Sequence, residues 1–270
     1  MFHLMNNHMT IQNIDWPSPH YPDGTLMLKD LPQEIDCIEW LYDNDAELFT
    51  LICLRRHYRG NVRLVLPYVP HARMDRVKQD SELFTLKAFC ETINILNFSS
   101  VTIFDPHSNV TPALLYNVKV IWPTANIRNI YSNLPRVGNT TFFFPDEGAM
   151  KRYSTLFPGE PYVFGMKDRD WVTGKIRKLI IQGDDDLIRD KDILIVDDIC
   201  SKGGTFFHSA KALKDKGAKD IYLYISHCEN SVYDGDMIKS GLIKKIFTTN
   251  SIFRPVPREL SAETPITVLN

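Results

Sequence analysis

Residues 192–218, DILIVDDICSKGGTFFHSAKALKDKGA, hold the densest group of chemically competent side chains in the chain. An apolar run ends in two adjacent carboxylates, Asp197 and Asp198. Cys200, Ser201 and Lys202 come next, then Gly203, Gly204 and Thr205, where a helical pattern begins. Main-chain N–H groups of 201–205, with a helix N-terminus behind them, make a cradle for a phosphate, and the two glycines permit close approach and unusual backbone angles. The paired carboxylates are placed to accept hydrogen bonds from two neighbouring sugar hydroxyls. Together these groups suit a phosphorylated ribose. The same residues also suit a plain strand–turn–helix whose acidic pair caps the helix.

Other polar groups are less specific one by one. His107 follows the apolar run 101–104, where a histidine is ordinarily a satisfied structural residue. Lys167 and Arg169 lie in the charged stretch KDRD, by default a solvated turn, and Arg73 has Asp75 and Asp80 within pairing distance in sequence. No G-x-x-x-x-G-K-[ST] loop occurs anywhere.

The elements that must position these groups read as alternating strands and helices. Short apolar runs rich in β-branched or aromatic residues recur at 62–67, 101–104, 118–122, 140–144, 193–196, 221–225 and 243–247. Several are continuous, which predicts strands covered on both faces. Helical periodicity appears over 81–97, with Leu83, Leu86, Phe89, Ile93 and Leu96 on one face, and over 204–216, with Phe207, Ala210 and Leu213. Alternation of this kind predicts an α/β fold with mainly parallel sheets. It occurs twice, so two domains are expected, 1–123 and 124–270, joined near 122–127, with the last few residues free to return to the first. The first thirty residues offer one plausible strand, 25–28.

Bulk properties narrow the class. With 44% hydrophobic and 24% charged residues the chain is neither disordered nor fibrous. A formal net charge of −2 argues against nucleic acid as a partner. Five widely spaced cysteines, none in a C-x-x-C pair, disfavour a disulfide framework or a zinc site and fit a reducing cytoplasm. No apolar run approaches the roughly 20 residues that span a bilayer, so neither a membrane nor a secretory leader is expected.

The stretch 192–218 resembles the phosphoribosyl-diphosphate-binding motif of the phosphoribosyltransferase superfamily, and four further segments narrow the resemblance to the ribose-phosphate pyrophosphokinase family. PYVPHARMDRV (67–77) resembles the segment that contacts ATP. IFDPH (103–107) resembles the strand end with the catalytic-site histidine, and FFPDEGAMKRY (143–153) the aspartate-and-glycine segment of the second domain. FGMKDRD (164–170) is similar to the start of the flexible catalytic loop. Order and spacing fit from about residue 21 to 250.

The resemblance implies two phosphoribosyltransferase-like domains and transfer of the diphosphate of Mg-ATP to the anomeric hydroxyl of a 5-phosphorylated ribose, releasing AMP. Such chemistry depends on positioning and on neutralising phosphate charge. Lys167, Arg169 and His107 become the catalytic candidates, and His107 and Asp146 the holders of Mg²⁺. Tyr21, Asp23, Thr25, Arg73, Met74, Asp75 and His107 become the ATP contacts, the first three on the adenine side and partly from a neighbouring subunit. Asp197, Asp198, Cys200, Ser201, Lys202, Gly203, Gly204 and Thr205 take the ribose phosphate. A homo-oligomer, dimer or higher, and small-molecule substrates are the implied partners, in nucleotide biosynthesis or NAD metabolism.

Several positions depart from the family. F-S-D-G-E is YPDGT, placing Thr25 where an acid is usual; R-Q-D-R is RMDR, with Met74 for glutamine; and D-T before the glycines is Ser201 and Lys202. The family's first strand and helix, and its last helix, have no counterpart here. The lysine adds positive charge beside the 5-phosphate, which leaves ribose 5-phosphate and a larger acceptor such as ADP-ribose both open. A phosphoribosyltransferase that consumes phosphoribosyl diphosphate, and a non-catalytic regulatory paralogue, are the competing readings.

Overall fold

The computed structural model describes residues 1–15, 17–169, 176–255 and 265–269, with backbone alone at 167–169 and 176–178. The chain divides into two compact units, Met1–Trp122 and Pro123–Asn270. The first contains β1 (Phe2–Asn6), β2 (Met9–Ile14), β3 (Cys37–Trp40), α1 (Glu47–His57), β4 (Arg63–Leu66), α2 (Thr85–Ile95), β5 (Val101–Phe104), α3 (Val110–Leu114) and β6 (Val118–Ile121). The second contains α4 (Thr124–Ser132), β7 (Thr140–Phe144), α5 (Glu147–Tyr153), β8 (Tyr162–Arg169), β9 (Ile176–Gln182), β10 (Asp192–Cys200), α6 (Gly204–Asp215), β11 (Ile221–Cys228), α7 (Asp236–Lys239), β12 (Lys245–Thr249) and β13 (Ile266–Leu269).

Each unit is built on one sheet, ordered β2-β1-β3-β4-β5-β6 and β13-β12-β11-β10-β7-β8-β9. Both are mainly parallel; the exceptions are β1, antiparallel to β2 and β3, and the β8–β9 pair. The α/β architecture expected from the alternation is therefore present in both halves.

The second sheet shows why its strands read as unbroken apolar runs. Ile193 and Ile195 of β10 pack into one core with Phe143, Ile221, Leu223 and Ile225. Their neighbours Leu194 and Val196 pack into another core with Phe142, Phe144, Tyr222 and Tyr224. Successive side chains of a strand point to opposite faces, so a sheet covered on both faces needs apolar residues at every position. Burial of each such side chain contributes about 1.5–3 kcal/mol. The sheet is thus a rigid platform, and the polar groups of interest lie where its strands end.

Several expectations are corrected. The first thirty residues form β1 and β2, joined by a two-residue turn at Asn7 and His8, both with positive φ (48° and 64°). That is the geometry of a twisted hairpin turn, here without glycine. Residues 25–28 are not a strand; the segment holds an isolated bridge between His20 and Leu26. In α2, Leu83 precedes the helix and is exposed, and Leu86, Phe89, Cys90 and Ile93 form the buried stripe. Likewise Phe206, not Phe207, is among the buried residues of α6. The last strand, β13, lies parallel to β12 in the second sheet. Among the described residues no helix is long and apolar enough to cross a membrane.

Candidate functional site

The strongest sequence signal falls at the carboxyl end of β10, the end at which open α/β sheets bind ligands. Asp198 is 2% exposed, and its Oδ1 lies 2.8 Å from Nη1 of Arg152 on α5. The main-chain N–H of Asp198 donates to Oδ1 of Asp197 (3.0 Å). Burial pushes the Asp197 carboxyl well above the ordinary carboxylate range; the charges of Asp198 and Asp146 push the same way, against the opposing pull of Arg152.

Asp146 is the N-cap of α5, where its Oδ1 accepts the N–H of Ala149 at 3.0 Å. The cap fixes the start of a helix whose last turn carries Arg152. A carboxylate expected at a metal thus also orients the cation that holds Asp198. Arg152 was absent from the sequence reading. Its signal is a basic residue six positions past the capping aspartate, meaningful once α5 is seen beside β10.

The loop after β10 has the form expected of an anion cradle. Gly203 is the N-cap of α6 in the left-handed region (φ 77°) and gives that helix no side-chain cap. The N–H groups of the first turn therefore have no partner inside the helix, and the helix dipole places partial positive charge there. A Cβ on Gly203 would meet Met237 Sδ at 2.8 Å, whereas one on Gly204 would have nothing within 4 Å. The first glycine answers to the fold, and the second faces open space. Lys202 and Gly204 are exposed, and Ser201 and Thr205 half-buried. Cys200 is buried beside Cys228 on β11; contact with that thiol and burial raise its pKa, which makes it a structural residue and not a nucleophile.

The remaining candidates on the second unit are Lys167 and Arg169. The structure places both within β8, antiparallel to β9 with Lys167 opposite Leu179, and not in the expected loop. Asp170, the last residue of that segment, lies outside the described residues.

The first unit brings together Asp75 and His107. Asp75 is 5% exposed; burial raises its pKa, but hydrogen bonds from Arg76 and Ser108 and the charges of Arg76 and His107 outweigh this and hold it below the usual range. Arg76 Nε to Asp75 Oδ1 is 2.9 Å, so Asp75 pairs with Arg76. Arg73 and Met74 are exposed. Between β5 and His107, buried Asp105 adopts φ 42°, a left-handed conformation that turns the chain sharply at the strand end. Tyr21 to Thr25 forms a tight turn, with Tyr21 N–H donating to Thr25 O (2.9 Å) and Gly24 N–H to Tyr21 O (2.9 Å). The Asp23 carboxyl is held low by the Thr25 N–H (2.9 Å). Thr25 also lines an apolar cavity of about 320 Å³ with Leu26, Leu28 and Phe49, which Tyr21 and Asp23 do not reach.

The donor set suits Mg²⁺. Among the described residues no group of three or more His, Cys, Asp or Glu forms a coordinating cage. Mg²⁺ seldom uses one; it is held by one or two carboxylates with waters and substrate phosphates. The surplus negative charge felt at Asp197 from Asp146 and Asp198 is what such a cation relieves.

No family model matches the chain. Its curated relatives include proteins named ribose-phosphate pyrophosphokinase from Sulfolobus acidocaldarius, 28% identical over 92% of this chain and 87% of the relative. Another, from Thermococcus kodakarensis, is 29% identical over 84% of this chain and 77% of its own. Among solved structures, the phosphoribosylpyrophosphate synthetase of Mycobacterium smegmatis superposes with a TM-score of 0.64 at 20% identity, covering 83% of this chain and 72% of that one. Over most of its length the chain is similar to these relatives, and it shares the fold of the synthetase.

Proposed function

We propose that the protein is an ATP-dependent diphosphotransferase. The anomeric hydroxyl of a 5-phosphorylated ribose attacks the β-phosphorus of ATP and gives up its proton. A bond forms between the C1 oxygen and that phosphorus, the bond to the α,β-bridging oxygen breaks, and AMP leaves. Ribose 5-phosphate is the simplest acceptor and phosphoribosyl diphosphate the product.

One observation carries this reading: two carboxylates stand near the end of β10, and the short loop after that strand leads into a helix whose first-turn N–H groups have no side-chain cap. Asp197 and Asp198 take the ribose hydroxyls, and Ser201 to Thr205 the 5-phosphate. Arg152 pairs with Asp198 and fixes it, so the sugar meets an already oriented acceptor. Lys167 and Arg169 supply positive charge to the transferring group. Arg73, Met74 and Asp75 contact the nucleotide, with Tyr21, Asp23 and Thr25 on its adenine side. His107 and Asp146 hold or orient Mg²⁺, which when bound neutralises charge on the phosphate oxygens.

A second acceptor is favoured by exposed Lys202 and by the open space over Gly204, which leave room beyond the 5-phosphate. ADP-ribose, with a terminal 5-phosphorylated ribose, has the required shape. Protein incubated with Mg-ATP and each acceptor in turn, with nucleotides separated by ion-pair chromatography, distinguishes the cases. AMP formed in step with one acceptor identifies it; no AMP with either overturns the reading.

A further inference from the structure

We propose that Glu229 is a positioning residue for the sugar phosphate, setting the shape of the anion-binding loop through Ser201; this rests on the ribose-phosphate reading above. Glu229 follows β11, next to the loop that follows β10. Its main-chain N–H donates to the carbonyl of Cys200 at 2.8 Å. Its Oε2 accepts the hydroxyl of Ser201 at 2.7 Å and that of Ser231 at 3.1 Å. One carboxylate oxygen thus ties the first residue of the cradle to the neighbouring strand end.

The segment beyond Glu229 braces the same loop by contact. A Cβ on Gly235 would fall 1.8 Å from the Lys202 carbonyl oxygen, so that backbone approach requires glycine. Met237 fills the space against Gly203. These contacts fix Lys202 and Gly203, and the Glu229 bonds fix Cys200 and Ser201. Because a hydroxyl has one proton to give, the Ser201 side chain is spent on Glu229. The phosphate is then left to main-chain N–H groups and to Thr205. Glu229 acts on sugar-phosphate affinity through Ser201 and touches no reacting atom.

The test measures the Kd of ribose 5-phosphate by calorimetry, and KM for ribose 5-phosphate and for ATP, in wild type, Glu229→Ala, Glu229→Gln, Ser201→Ala and the Ala/Ala double variant. Loss of a hydrogen bond to a charged partner weakens ribose 5-phosphate binding about tenfold in Glu229→Ala, with KM for ATP held within about twofold. Glu229→Gln keeps an acceptor oxygen and stays within about threefold of wild type. The double variant is no weaker than Glu229→Ala, because both changes break one bond. Wild-type affinity in Glu229→Ala overturns the proposal, as does additivity in the double variant or tighter binding in Glu229→Gln. If Glu229→Ala does not fold, Ser201→Ala must show the same rise in KM for the sugar alone. Wild-type protein that binds no phosphorylated ribose overturns the proposed function and this inference with it, whereas unchanged binding in the variants overturns this inference alone.

Discussion

Replacing Arg152 by alanine leaves Asp198 as a buried carboxylate without its guanidinium. The two side chains are 13% and 3% exposed at a separation of 2.8 Å, so the pair is of the buried kind. Breaking such a pair from one side costs about 3–5 kcal/mol, against a total stability of about 5–15 kcal/mol for an ordinary domain. The same helix supplies a control. Lys151 and Glu147 also stand 2.8 Å apart, but at 69% and 65% exposure, and Lys151→Ala should cost about 0.5 kcal/mol or less. A buried carboxylate that has lost its cation favours the neutral form, which places its folded-state pKa above the unfolded one. Stability is then intact below the ordinary carboxylate pKa and lost as pH rises through the raised one, so the penalty is larger at pH 8 than at pH 5. Urea unfolding followed by hydrogen exchange at the amides of β10 and β11 reads the second unit directly. Equal losses in the two variants, or an Arg152→Ala loss that ignores pH, would refute the reasoning.

Asp197→Asn should stabilise the ligand-free protein at neutral pH. The raised pKa of Asp197 means that folding loses stability as the group ionises, so the gain in Tm is largest at pH 8 and absent below about pH 4. Thermal scans across pH without Mg²⁺ or nucleotide check this. Gly203→Ala combines a left-handed residue with a Cβ at 2.8 Å from Met237 and should cost about 1–3 kcal/mol in urea unfolding. Gly204→Ala, with open space, should be neutral or stabilising by up to about 1 kcal/mol, since alanine is the better helix former. Lys167→Ala should lower kcat by about 10²-fold or more with little change in ribose 5-phosphate affinity; a phosphoribosyltransferase would keep its activity in that variant.

The fold was legible where burial is two-sided. Run 140–144 is a strand to the residue, because every position of β7 is buried and no helix periodicity explains it; run 101–104 is also a strand to the residue, with β5 buried at alternate positions. Helix α1 was missed because its pattern is inverted: Glu47 and Thr50 are buried while Phe49 is exposed. Trp40 Nε1 donates to Glu47 Oε2 at 2.9 Å, and that bond satisfies a carboxylate no sequence pattern marks as internal. The hairpin of β1 and β2 was hidden by its polar alternation and by a turn of Asn7 and His8 in place of glycine. At the site, Asp197, Asp198, Gly203 and Gly204 were readable because one short segment carries both cradle and carboxylates. Arg152 and Glu229 were not, since each meets its partner only through the pairing of distant strands. Lys167 and Arg169 read as loop residues because charge outweighs any strand signal in KDRD; the antiparallel pairing of β8 with β9 overrides it.

The central claim is transfer of an intact diphosphate from ATP to the C1 oxygen of a phosphorylated ribose. ATP labelled with ³²P at the β-phosphorus, incubated with Mg²⁺, ribose 5-phosphate and the protein, tests it directly. The label should appear in a phosphoribosyl diphosphate, with unlabelled AMP formed in equal amount. Label recovered in ADP or free diphosphate, with none bound to the sugar, would contradict it.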